Sequence, residues 1–199
     1  QGIWLPDGFF NTGDLGRMDA DGYVFLTGRK KELIIRGGHN IDPAMIEEPI
    51  YKMPNIKMVA AVSRPDPHSG EVPVAYVEVA EGTDIDEEKI MAWAKENVGE
   101  RAAVPKEIVI TPQIPLTPVG KIFKPALRWD ATKRAYEAEL QALGDMVESF
   151  DVSVGEDKVH GTKVSIGVKP AAGSDLKAIK DKIAEILARY TLYYEVEEI

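Results

Sequence analysis

Apolar and polar positions change period several times along the 199 residues, and each change marks an element boundary. Asp21-Gly22 lies between the strand-like runs 15–18 and 23–26, which predicts a β-hairpin because this dipeptide tolerates a left-handed turn. Residues 1–27 as a whole read as short strands joined by turns. Ile34-Ile35 continues as a short strand after Gly28. Asp42-Pro43 supplies an N-cap followed by proline at the first helical position, and Ile46 and Ile50 give that helix an apolar face. Pro49 removes a backbone donor, so a kinked or short helix is expected.

Runs 59–62 and 74–79 predict strands, with a loop over 63–73 that holds three prolines and Gly70. Asp84 and Glu87 have capping-box spacing, and Ile90, Trp93, Ala94 and Val98 follow at helical spacing as core positions. Residues 108–110 read as another strand. Pro125 opens a helix toward Leu143, with Leu127, Tyr136 and Leu140 as its apolar contacts. The tail then alternates as strands do over 147–154 and 162–168. Ser174 caps a helix bearing Leu176, Ile179, Ile183, Ile186, Leu187 and Tyr190, and 196–199 forms a last strand. The order strand, turn, helix, strand at 74–110 recurs in the tail, where Gly173-Ser174-Asp175 matches Gly82-Thr83-Asp84. Residue identity between the two is poor, so duplication and independent convergence on a common α+β unit both stand.

Composition narrows the function classes. The chain carries 33 acids against 24 bases, a net charge of -9, which disfavours non-specific binding to nucleic-acid backbones. It has no cysteine, which removes disulfides, thiolate zinc sites and thiol catalysis. Three scattered histidines, His39, His68 and His160, do not make a histidine-rich metal site. No apolar run approaches the roughly 20 residues of a membrane span, and no leader is visible. The cytoplasm is the expected compartment. Gln1 and the apolar opening 4–10 read as a fragment cut from a longer protein.

Two segments set lysines and glycines beside apolar, strand-like runs: residues 28–41, GRKKELIIRGGHNI, and 116–124, LTPVGKIFK. Backbone freedom together with positive charge suits an anionic ligand such as a nucleotide phosphate. Asn11-Thr12-Gly13-Asp14, Gly28 through Glu47, and Pro115 through Ile122 resemble, in order, three motifs of the AMP-forming acyl-CoA synthetases. These are the T-G-D motif, the hinge motif and the catalytic-lysine motif of the adenylate-forming superfamily. The resemblance covers roughly residues 1–143.

The resemblance implies an α+β fold. A small mixed-sheet domain with flanking helices spans 28–146. It is preceded at 1–27 by a short β remnant of the large N-terminal domain. The ββαβ-like extension at 147–199 is read from its residue pattern and lies beyond the resemblance, with a family-specific extension, an oligomerisation element and a regulatory module all open for it. The resemblance also implies a two-step reaction. A carboxylate attacks the α-phosphate of ATP to give an acyl-adenylate and pyrophosphate, and coenzyme A then takes the acyl group and releases AMP. The small domain rotates between the steps and presents a different face to each.

By the same resemblance, Asp14 accepts hydrogen bonds from the ribose hydroxyls of ATP, and Arg29 lies near the ribose or phosphates as a fixed donor fork. Lys31 takes the hinge position. Gly37, Gly38 and His39 belong to the loop that faces coenzyme A, with Asn40 beside them and no chemistry assigned to His39 or to Glu47. Lys121 is the catalytic lysine, neutralising and orienting oxygens as charge shifts to pyrophosphate. Lys124 reads as a surface residue at a helix entry. Acetylation of Lys121 would erase its charge and switch off the first step.

Three departures from the family pattern stand out: Met45 where an acid is usual, Pro49 inside the helix, and Val119 in place of a small residue. The fragment is expected to be inactive alone, with ATP and Mg held mainly by the absent N-terminal catalytic domain and coenzyme A as a substrate. The expected partners are that domain and a carboxylic-acid substrate, with no nucleic acid, no membrane span and a homodimer compatible with the sequence. Fatty, aromatic and short acids are all admitted, and the motifs lean toward a fatty-acid type ligase. Two alternatives remain: a non-enzymatic α+β interaction or oligomerisation module, and a peptide-synthetase adenylation fragment.

Overall fold

The computed structural model describes residues 4–199, so the first three residues of the expected N-terminal strands lie outside the described residues. The chain packs as two units. Among the described residues, one comprises those up to Val62 together with Pro73–Ile114, the other Ser63–Val72 and Pro115–Ile199.

The first unit opens with the hairpin expected at Asp21-Gly22, in which β1 (Asp14–Met18) pairs antiparallel with β2 (Val24–Arg29). A bulge between Leu15 and Gly16 shifts the register, so Asp14 faces Arg29. Gly16 suits the bulge because a Cβ there would stand 2.9 Å from the Phe25 carbonyl oxygen. Lys30–Glu32 form one 3-10 turn that sequence reasoning did not foresee. β3 (Ile34–Arg36) and β4 (His39–Ile41) follow as a tight hairpin.

α1 (Ala44–Tyr51) begins where Asp42-Pro43 predicts, with Asp42 Oδ1 accepting from the Ala44 N–H at 2.9 Å. Pro49 sits inside it, and the helix is short as expected, at 8 residues. β5 (Ile56–Asp66) and β6 (Gly70–Val79) are longer than predicted, which corrects the loop assigned to 63–73. The reason is local. Asp66 Oδ1 accepts from the N–H groups of His68 at 3.0 Å and Ser69 at 2.7 Å, so the chain reverses in a tight turn. The extended φ of proline is compatible with strand backbone on either side.

α2 (Glu87–Asn97) is capped by Asp86, which accepts from Lys89 N–H at 2.8 Å. Asp84, expected as the cap, pairs with Lys89 Nζ at 2.9 Å instead. β7 (Glu107–Ile110) returns parallel to β6, in a five-stranded sheet of order β4-β3-β6-β5 with β7 on β6. Ile34, Ile41, Ile46, Ile50, Ile90 and Ala94 are fully buried in the core of this unit.

The second unit contains the 115–123 loop, α3 (Lys124–Leu140), a 3-10 turn over Gln141–Met146, β8 (Val147–Asp157), β9 (Gly161–Pro170), α4 (Leu176–Ile186) and β10 (Tyr193–Glu198). The tail is the expected ββαβ arrangement, with β8 antiparallel and β10 parallel to β9 in the order β10-β9-β8. Three details differ from the sequence reading. Asp175 caps α4 in place of Ser174, accepting from Ala178 N–H at 3.1 Å. α3 stops at Leu140, and the last strand begins at Tyr193. Among the described residues no helix is long and apolar enough to cross a membrane.

Candidate functional site

Asn11 to Asp14 form a chain of local turns. Asn11 Oδ1 accepts from the Gly13 N–H at 3.0 Å, and Thr12 Oγ1 accepts from the Asp14 N–H at 3.1 Å. These bonds hold Asp14 at the start of β1, where the bulged register sets it opposite Arg29. Arg29 Nε donates to Asp14 Oδ1 at 2.9 Å. The guanidinium, and after it the Thr12 hydroxyl, hold the Asp14 carboxyl below the usual carboxylate range, and Asp14 raises Arg29 in return. Asp14 keeps a third of its side-chain surface exposed and Arg29 nearly two thirds, so both are open to a ligand. Sequence reasoning named the two residues but not their contact.

The segment from Gly28 to Glu47 holds together by short-range contacts. Gly28 has φ +141, and a Cβ there would lie 2.5 Å from Asp42 Oδ2, so both backbone and packing call for glycine. Lys30 and Lys31 are exposed on the 3-10 turn that separates β2 from β3. Gly37 and Gly38 are the two central residues of the β3–β4 turn, with φ +55 and +88, and nothing lies within 4 Å of where their side chains would be. This pair of left-handed residues forms a bare backbone tip. His39 is exposed with Nδ1 3.4 Å from Glu100 Oε1, and Asn40 is exposed beside it. Glu47 fastens α1 to β5, its Oε1 accepting from the Ala61 N–H at 2.8 Å.

At the base of that hairpin the first unit carries an open groove of about 780 Å³, lined by Arg36, Met91, Lys95, Arg101, Lys106 and small apolar positions. Its lining holds four cations and no acid. Arg36 is fixed there by donating from Nη1 to the Ala102 carbonyl at 2.7 Å. Sequence reasoning missed this groove because its cations come from three separated stretches of chain. The one available signal was Arg36 standing next to Gly37.

The 115–123 loop lies in the second unit. An antiparallel bridge joins Leu116 to Ile122. Between them Thr117 N–H donates to Lys121 O at 2.7 Å, Gly120 N–H to Thr117 O at 2.9 Å, and Lys121 N–H to Thr117 Oγ1 at 3.1 Å. Gly120, with φ +79, makes the tight reversal available. The backbone of Lys121 is therefore fixed. Its side chain is exposed, and no group among the described residues pairs with its ammonium. Such a cation on a rigid base can travel to an anionic partner without breaking an existing ion pair.

The family described as AMP-binding enzyme C-terminal domain matches residues 45–121. The marinolic acid–CoA ligase of Pseudoalteromonas sp. (strain SANK 73390) is 42% identical over 184 residues, covering 92% of this chain and 28% of that protein. The indoleacetate–CoA ligase of Aromatoleum aromaticum is 40% identical over 66% of this chain and 26% of its own length. Among solved structures, ATP-bound MatB from Rhodopseudomonas palustris superposes with a TM-score of 0.59 at 35% identity, over 63% of this chain and 25% of that one. The chain thus spans roughly a quarter of the length of the relatives it matches.

Proposed function

Because the chain carries the C-terminal domain of the adenylate-forming superfamily, we propose that it is the C-terminal part of an AMP-forming acyl-CoA ligase, supplying the adenylation lysine and the surface that faces coenzyme A. In the proposed reaction a carboxylate oxygen attacks the α-phosphorus of ATP and pyrophosphate leaves. The thiol of coenzyme A then attacks the acyl carbon and AMP leaves.

The observation that carries this reading is the Lys121 loop, a rigid turn presenting a cation with no partner among the described residues. Lys121 neutralises and orients oxygens in the adenylation step. Asp14 receives the ribose hydroxyls on its carboxylate while Arg29 holds that carboxylate in place and ionised. Lys31, on the exposed turn between two strands, is the pivot about which residues 28–146 rotate relative to the large domain. In the second step the bare Gly37-Gly38 tip and His39 border the pantetheine arm. The four cations of the adjoining groove suit the phosphates of coenzyme A.

Among the described residues no group of three or more acidic or imidazole side chains is disposed to hold a metal ion, and the large N-terminal domain is proposed to hold most of ATP and its Mg. The large N-terminal domain is the proposed partner. The exposed apolar surface of Trp4, Phe9, Phe10 and Leu26 on the opening segment, 54–76% accessible, supports its being covered there. Cytoplasmic residence, a fatty-acid type substrate and inactivity of the isolated chain belong to the same proposal.

The test is an end-product assay of the full-length ligase with ATP, coenzyme A and a panel of fatty, aromatic and short carboxylic acids. AMP, pyrophosphate and an acyl-CoA are expected with at least one acid. ADP as product, or ATP cleavage that no acid stimulates, contradicts the reading.

A further inference from the structure

The tail is more closely joined to the lysine loop than its position after the matched domain suggests. α3, about 25 Å long at the usual helical rise, begins three residues after Lys121. Its first half holds the loop. The ring of Trp129 meets that of Phe123, the N-cap residue that ends the loop, edge-on with centroids 5.9 Å apart, and the Phe123 N–H closes the loop on itself by donating to Pro115 O at 2.8 Å. Its second half holds the tail. Ala135, Tyr136 and Leu140, with Leu143 just beyond, form one buried cluster with Val152, Ile166, Ile179 and Ile183 of the tail.

Tyr190 ties the tail to the second half of α3. Its hydroxyl donates to Glu139 Oε1 at 3.0 Å, and its ring lies 5.0 Å from that of Tyr136. Asp66, from the 63–72 segment of the same unit, also acts on Tyr190, which desolvation and Glu139 push well above the ordinary phenol range. Without the tail, the second half of α3 would expose Ala135, Tyr136 and Leu140, and a helix is held in water mainly by the packing of such an apolar face. The comparison agrees. A match of 184 residues in a chain of 199 necessarily takes in residues 16–184, so the marinolic acid–CoA ligase shares most of the tail together with the loop.

We infer that residues 147–199 are a buttress of the lysine-bearing unit, holding α3 and through it the base of the Lys121 loop, and that Tyr190 is a positioning residue in that buttress. The functional part of this inference rests on the role proposed for Lys121.

The experiment is native-state hydrogen exchange on the 199-residue chain across a denaturant series, repeated for Ile183→Ala and Tyr190→Phe. The slowest amides of α3 and of β9 are expected to share one opening transition, and Ile183→Ala to speed both by the same factor, at least ~10-fold. Acceleration confined to 147–199, with α3 unchanged, overturns the inference. If Ile183→Ala does not fold, the unsubstituted chain and Tyr190→Phe give the same readout. In the full-length ligase, Tyr190→Phe is expected to lower kcat for adenylation while thioester formation from preformed acyl-adenylate is unchanged. Coupled exchange without that kinetic split would leave the buttress standing and overturn the positioning role of Tyr190, while the role of Lys121 itself is read separately from Lys121→Ala.

Discussion

Arg29 donates through Nε to Asp14 Oδ1 at 2.9 Å, across a strand pair that exists in this register only because of the bulge at Leu15 and Gly16. The contact keeps the Asp14 carboxylate ionised and oriented. Arg29→Gln is therefore expected to raise the Asp14 titration midpoint toward the ordinary value near ~3.9, measured by carboxyl carbon chemical shift. The sign follows from the lowered native pKa. What the pair contributes is present above the ordinary carboxylate value and is lost as pH falls through the lowered one. An unmoved midpoint would show that the pair is not formed in solution.

Gly28 meets two constraints at once, a φ of +141 and an Asp42 carboxylate in the space a side chain would need. Gly28→Ala is expected to lower the stability of the first unit by about 1–3 kcal/mol in urea unfolding. A loss below the error of the measurement would contradict the geometry at this position.

Glu47 has a structural task, since its carboxylate satisfies the N–H of Ala61, a residue with no exposed surface. Glu47→Ala leaves that donor buried without its carboxylate partner, at an expected cost of about 1–3 kcal/mol. Glu47→Gln keeps an acceptor oxygen and is expected to recover most of the loss. Equal destabilisation by both would show that the bond to Ala61 is not the reason.

Tyr136 is buried, and its hydroxyl has no hydrogen-bond partner among the described residues. Desolvation pushes its pKa up to about 12. The folded state therefore holds this proton more tightly than the unfolded chain, whose tyrosines titrate near ~10. The resulting stability is fully present below that pH and falls as pH rises from ~10 to ~12, by on the order of 2 kcal/mol. Tyr190 is raised as well and deepens the fall. Tyr136→Phe is expected to flatten the pH dependence of unfolding in that window and to change stability at neutral pH by less than about 1 kcal/mol, since no bond is lost. An unchanged slope would contradict this account.

Alternation and turn chemistry made much of the fold legible in the sequence. Asp21-Gly22 located the first hairpin, and the tail was readable as ββαβ because its strands alternate over long runs. What was missed has physical causes. Prolines between 63 and 73 masked a hairpin that one carboxylate, Asp66, closes through backbone bonds. Caps were misplaced because several acidic or hydroxyl side chains precede α2 and α4, and only the structure shows that Asp86 and Asp175 reach the free N–H groups. Counting back from Asp21-Gly22 sets Gly28 opposite Asp14, and the bulge that brings Arg29 there is signalled only by Gly16. The basic groove joins Arg36 to Lys106 across the fold and leaves no local pattern. Nor does the cluster that makes the tail part of the lysine-bearing unit, since its members run from Ala135 to Leu187.

The ammonium of Lys121, without a partner among the described residues and held on a locked turn, is the centre of the functional account. Its most direct test is to measure the two half-reactions of the full-length ligase separately after Lys121→Ala, using pyrophosphate exchange for the first and conversion of preformed acyl-adenylate by coenzyme A for the second. The account predicts a loss of roughly 10²–10³ in adenylation, with the second half-reaction within a few-fold of the unsubstituted enzyme. Equal losses in both, or none in the first, would contradict it.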